Sequence, residues 1–123
     1  MSGGSEAVRL GHWGEALVAD DLKKKGWQIV DTGFRCRMGE IDLIVQNRDY
    51  LVFVEVKLRK NDRFGQAAAF VDYQKRRKLR AAAEYYLLRR PTQLQPRFDV
   101  AEVYAPLGTE TRNPTIHYIE NAF

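Results

Sequence analysis

A chain of 123 residues with a net charge of +4 has room for one domain and one hydrophobic core. Its 45% hydrophobic and 29% charged residues are ordinary for a soluble globular protein. The apolar run over residues 51–54 is broken at once by Glu55, and no run approaches the roughly 20 residues a membrane span needs. The first five residues carry neither a basic region nor an apolar stretch, so they read as a flexible lead-in to a single domain over 6–123, and the expected compartment is the cytoplasm. Cys36 is the only cysteine, which excludes an internal disulfide and a cysteine-built zinc site. His12 and His117 have no ligand spacing between them, so a metal here would be held by carboxylates, which favours Mg²⁺ or Mn²⁺.

The first periodic segment runs over residues 6–25. Leu10, Trp13 and Leu17 share one helical face, with Gly14, Val18 and Leu22 beside them. Lys23, Lys24 and Lys25 suit the negative end of the helix dipole, and Gly26 is a natural stop. A short strand is predicted over 27–30 and a loop over 31–39, with Gly33 and Gly39 as breakers. Two strands follow, over 40–46 and 50–59, joined by Asn47, Arg48 and Asp49 as turn material. After a loop through Asn61, Asp62 and Gly65, residues 68–71 can add a short turn. A long helix then spans 72–90, with Asp72 as its N-cap and Leu79, Ala82, Ala83 and Tyr86 as its buried stripe. Pro91 ends it. Strands near 97–104 and 115–120 close an α-β-β-β-α-β-β order, an α/β sheet with helices packed on it.

The register of the central hairpin is the informative feature. A loop centred on Arg48 and Asp49 pairs Ile41 with Val56, Leu43 with Val54 and Val45 with Val52, an apolar set on one side. The other side then pairs Ile44 with Phe53, Asp42 with Glu55 and Glu40 with Lys57. Like charges directly opposed on a sheet destabilise it, so Asp42 and Glu55 call for a positive partner. Lys57 supplies one, and a divalent cation would supply more. Two carboxylates and a lysine on one sheet face suit phosphodiester hydrolysis: the carboxylates hold a metal, and the lysine orients water or neutralises the developing charge. A salt-bridged triad with no catalytic role satisfies the same spacing, and spacing alone leaves both readings open.

The segment Gly39-Glu40-Ile41-Asp42-Leu43-Ile44, followed by Val52-Phe53-Val54-Glu55-Val56-Lys57, resembles the core of the YraN family of small bacterial proteins. Gly14-Glu15-Ala16, Phe64-Gly65, Arg97-Phe98-Asp99-Val100 and Asn121-Ala122-Phe123 extend the likeness over nearly the whole chain. That family in turn resembles the PD-(D/E)XK nucleases, above all resolvases of Holliday junctions. The resemblance implies a restriction-endonuclease-like core, a mixed β-sheet flanked by helices. It also implies that Asp42, Glu55 and Glu15 are metal ligands and that Lys57 is a catalytic partner. The usual proline before the aspartate is Ile41 here. A Lys-Gln pair common in relatives is Lys75-Arg76, with Gln74 a weak substitute for the glutamine. Asp99 is expected to be structural.

The basic residues cluster around these motifs. Arg35 and Arg37 precede the acidic strand, Arg59, Lys60 and Arg63 follow it, and Lys75, Arg76, Arg77, Lys78 and Arg80 form a block. They predict phosphate contacts, with Lys75, Arg35, Arg37, Arg59 and Arg76 as the nucleic-acid grip, although a solvated helix face has the same composition. The leading expectation is a divalent-metal-dependent nuclease acting on DNA and selective for branched structure, working as a homodimer. Tyr73, Tyr85 and Tyr104 are aromatic candidates for such an interface. The alternative is a nucleic-acid-binding adaptor that keeps the fold without cutting. A nucleotide-dependent enzyme lacks support, because there is no glycine-rich phosphate loop.

Overall fold

The computed structural model describes residues 6–61 and 72–123. The lead-in over 1–5, the turn over 68–71, Arg63 and the Phe64-Gly65 motif lie outside the described residues. Helix α1 (Glu6–Lys24) is followed by strands β1 (Gln28–Cys36), β2 (Gly39–Gln46) and β3 (Tyr50–Arg59). Helix α2 (Tyr73–Arg89), β4 (Gln95–Tyr104), a single 3₁₀ turn (Gly108–Glu110) and β5 (Thr115–Ile119) complete the order. The sheet runs β1-β2-β3-β4-β5, antiparallel except for the parallel β3–β4 pair. The chain is thus an α/β protein with a five-stranded mixed sheet flanked by helices, in the expected order of helices and strands. Among the described residues no helix is long and apolar enough to cross a membrane.

The two described helices cover opposite faces of the sheet. Val18 and Leu22 of α1 pack on Leu43, Val45, Val52, Val54, Ala101 and Val103. Leu79, Ala82, Ala83 and Tyr86 of α2 pack on Ile41, Ile44, Leu51 and Phe53. The stripe predicted for the second helix is therefore the one that is buried. Asp72 caps that helix, its Oδ1 accepting from the Lys75 backbone N–H at 2.8 Å. On α1 the face is rotated slightly: Gly14, Val18 and Leu22 are fully buried, while Leu10, Trp13 and Leu17 are half-buried.

Two sequence expectations need correction. The first strand does not stop at residue 30: β1 continues through the predicted loop to Cys36 and pairs with β2 along its length. A bulge between Ile29 and Asp31, with Gly33 at φ +66°, breaks the alternation that marks a strand in sequence. The second correction concerns the central hairpin. Leu43↔Val54, Ile44↔Phe53 and Val45↔Val52 pair as expected, but the ladder ends at Leu43. Ile41 does not join Leu43 on the α1 face. It packs with Ile44 and Phe53 under α2, so β2 turns over at Asp42 and the Asp42/Glu55 and Glu40/Lys57 pairs do not form in the ladder.

Candidate active site

The break in the β2–β3 ladder gathers the acidic residues. Where the strands part, the backbone N–H of Val56 has lost its cross-strand carbonyl, and Asp42 Oδ2 accepts from it instead at 2.8 Å. A buried donor left without a partner costs about 1–3 kcal/mol, so the Asp42 carboxylate stabilises the splay that exposes it. Glu55, one residue before Val56, is 5% exposed on the α2 face. Its Oε2 meets Lys57 Nζ at 3.8 Å along its own strand and Lys75 Nζ at 3.2 Å from the first turn of α2. Lys75, which stands where relatives carry the lysine of a Lys-Gln pair, thus reaches Glu55, and it lies closer to Glu55 than Lys57 does.

Glu15 approaches from the other helix. Gly14 eases this approach, because a Cβ there would stand 3.2 Å from Leu58 Cδ2 and would need the Leu58 side chain to give way. Burial, then repulsion from Asp42 and a hydrogen bond shared with its carboxyl group, push the Glu15 pKa up to about 7. A hydrogen bond between two carboxyls needs a proton between them, so it adds to the effect of burial and repulsion. Glu55 is likewise pushed up to about 7, first by burial and then by Asp42, against the pull of Lys75 and Lys57. Burial works against the Lys75 ammonium, but the Glu55 carboxylate, with Asp42 and Glu40 behind it, holds its pKa above the ordinary lysine value.

Asp42 is therefore the hub between Glu15 on one side and Glu55 on the other. Three carboxyls face two ammonium groups, and burial together with repulsion from Asp42 raises the two glutamates. An oxygen-only donor set of this kind fits a hard divalent cation. Among the described residues, however, no three His, Cys, Asp or Glu side chains are gathered as a ready-made metal shell. The chemistry of the donors fits; Lys75, set against Glu55, holds the place of a counter-charge.

The other predicted residues take varied positions. Arg59 turns away toward β4, where its Nε lies 3.5 Å from Oε2 of the wholly buried Glu102. Sequence reading passed over Glu102, whose strand partners are Lys57 on β3 and His117 on β5; its place among apolar β4 residues was the available signal. Arg35 reaches Glu40 at 3.4 Å on the surface, Arg37 is exposed and Arg76 is half-buried. His12, one turn before Glu15, lines with it a small hollow over Thr32 and Leu43. Asp99 is structural, as expected: it takes Arg97 Nε and Nη2 at 3.0 and 2.9 Å and the Asn121 N–H at 2.9 Å, fastening the C-terminal residues. Of the three interface tyrosines, Tyr73 is exposed, while Tyr85 and Tyr104 are half-buried.

A mixed sheet between two helices, parted at a carboxylate-bearing hairpin, makes this an α/β protein whose core is compatible with that of nucleases. The family assignment follows from comparison of sequences. The model of the Uncharacterised protein family UPF0102 matches residues 14–103, and the chain belongs to that family, the YraN family to which its motifs pointed. A UPF0102 protein of Alkaliphilus metalliredigens is 39% identical over 115 residues, covering 93% of this chain and 96% of the relative. One from Clostridium acetobutylicum is 39% identical over 116 residues, 94% of this chain and 93% of the relative. One from Caldanaerobacter subterraneus subsp. tengcongensis is 40% identical over 115 residues, 93% of each chain.

Proposed function

We propose that the protein is a divalent-metal-dependent nuclease that hydrolyses DNA phosphodiesters and prefers branched substrates. The observation that carries this reading is the convergence of Asp42, Glu55 and Glu15 on a parted strand pair, with Lys57 and Lys75 beside them. Asp42, Glu55 and Glu15 would hold a Mg²⁺ or Mn²⁺ ion, which supplies Lewis-acid polarisation of the phosphodiester. Lys57 orients the attacking water and donates to the phosphate oxygens as charge builds on them. Lys75 keeps Glu55 in place and, on the open side of the site, offers a cation to the phosphate. The exposed Arg35 and Arg37, with Arg76 on α2, supply phosphate contacts that need no base readout. Paired cuts across a branch point require two copies of the chain.

One observation favours the second reading, a DNA-binding adaptor that does not cut: Lys75 already neutralises Glu55 at 3.2 Å, and no metal shell stands assembled among the described residues. Incubating the protein with branched, single-stranded and duplex DNA in Mg²⁺, Mn²⁺ or EDTA separates the two. Metal-dependent cleavage that disappears in both Glu55→Ala and Lys57→Ala supports the nuclease. Binding without cleavage, equal in the wild type and both variants, overturns it in favour of the adaptor.

A further inference from the structure

Helix α2 carries a second stripe beside its buried one. Gln74, the adjacent Arg77 and Lys78, Ala81 and Tyr85 recur at successive helical turns, on the side turned toward the β1–β2 turn. Two hollows lie between that stripe and the turn. One, of about 250 Å³, is lined by Met38, Gln74, Arg77, Lys78 and Ala81. The other, of about 430 Å³, is lined by Arg35, Cys36, Arg37, Met38 and Tyr85. Met38 borders both, so the two hollows adjoin at its side chain and together make a shallow trough. Gly39 brings the turn against the helix: its φ is +158°, and a Cβ there would stand 3.3 Å from the Lys78 carbonyl oxygen.

The trough has a definite chemistry. Met38, Ala81, Cys36 and the Tyr85 ring give it an apolar and aromatic floor, with the Arg89 guanidinium stacked over that ring at 4.8 Å. Its rim is cationic, with Arg35, Arg37, Arg77 and Lys78 exposed along it. From Gln74 to Tyr85 the helix rises on the order of 16 Å at 1.5 Å per residue, enough for a short run of nucleotides. Gln74, at one end of the stripe, directly precedes Lys75, whose Nζ lies 3.2 Å from Glu55 Oε2.

We infer that this trough binds single-stranded DNA, its bases lodged against Tyr85 and Met38 and its phosphates on the arginine and lysine rim. Duplex DNA offers a groove-bordering wall only its phosphates, because the bases are stacked inside. Unpaired bases can be turned toward an apolar floor, and an aromatic side chain accepts any of them. The inference deepens the nuclease reading, since a strand leaving a branch point would run from the trough into the carboxylate site.

The test is run in EDTA, so that binding is read without turnover. Affinities for a fluorescein-labelled 12-nucleotide oligo-dT and for a 12-base-pair duplex are measured by anisotropy, and the methyl signals of the two methionines are followed by NMR. Tyr85→Leu keeps apolar bulk and removes the stacking plane, and Tyr85→Phe keeps the plane. The expected result is about tenfold weaker single-strand binding for Tyr85→Leu, retained by Tyr85→Phe, with duplex affinity unchanged. The Met38 methyl signal moves on adding oligo-dT. Single-strand affinity within twofold of wild type in Tyr85→Leu overturns the inference, as does an equal loss on both DNAs or a Met38 signal that stays put. Thermal unfolding confirms that each variant is folded. Failure of the nuclease reading is a separate result, because it appears as wild-type protein that binds in EDTA yet cuts nothing when Mg²⁺ or Mn²⁺ is added.

Discussion

Asp42 holds two roles in one side chain, and substitution can separate them. Its Oδ2 accepts from the Val56 N–H, a structural bond that an amide oxygen can also make. Asp42→Asn is therefore expected to unfold within about 0.5 kcal/mol of wild type, and Asp42→Ala to lose ~1–2 kcal/mol, both read from denaturant midpoints. Metal-dependent cleavage is lost in both, because neither supplies a charged carboxylate. Equal destabilisation by the two variants would remove the Val56 bond from the account of the splay.

The raised carboxyls near Asp42 also give stability a direction with pH. Glu15 and Glu55 ordinarily titrate near 4.5 and stand at about 7 in the folded chain. Between those values the folded state binds protons that the unfolded state has released. Their contribution is complete below about 4.5 and is lost as pH rises through about 7. In EDTA, the melting temperature of the wild type should therefore fall over that window, and Glu55→Gln should flatten part of the fall. A flat wild-type profile would mean that burial and Asp42 do not raise the two glutamates in solution.

At the scale of elements, the approach of α1 to β3 sets where Glu15 stands. Gly14→Val places two methyl groups where Leu58 Cδ2 is already 3.2 Å from a single Cβ. Overpacking of this kind costs about 1–3 kcal/mol. The helix must move outward, and Glu15 moves with it. On the proposed nuclease reading, the variant is expected to lose cleavage activity well beyond what its fraction unfolded explains, whereas Val18→Ala, a pure core truncation on the same helix, should lose stability with little effect on cleavage by the folded protein.

These elements also show what could be read from residues alone. The stripe Leu79, Ala82, Ala83 and Tyr86 was legible because helical periodicity and the Asp72 cap agree. The pairing of Leu43 with Val54 was legible because a one-residue slip buries charge. The turnover of β2 at Asp42 was not, because Ile41 is equally apolar on either face and no pattern distinguishes the two. The long β1 was hidden by its bulge and Gly33, which read locally as a loop. Asp42, Glu55 and Lys57 were visible as a motif, but Lys75 reaches Glu55 only through the packing of α2 on the sheet. The trough beside that helix was hidden for the same reason, since it is made by two elements separated by more than thirty residues.

For the whole molecule, the net charge of +4 matters less than its placement. The acids Asp42, Glu55, Glu15 and Glu102 lie at or beneath the sheet, while Arg35, Arg37, Arg77 and Lys78 stand exposed beside the route to them. Cations arranged this way bind DNA by displacing its condensed counterions, so affinity must fall as salt rises. Each phosphate contact contributes about 0.9 to the slope of log affinity against log salt on duplex DNA, and about 0.7 on single strands. Arg35→Gln with Arg37→Gln is expected to lower the single-strand slope by about 1.4 and to weaken binding similarly across sequences. Arg112→Gln, with its side chain in the loop before β5, is expected to change neither. Affinities measured in EDTA from low to physiological salt decide the point. If the double variant keeps the wild-type slope, the charge beside the β1–β2 turn is solvated surface, and DNA meets the protein on another face.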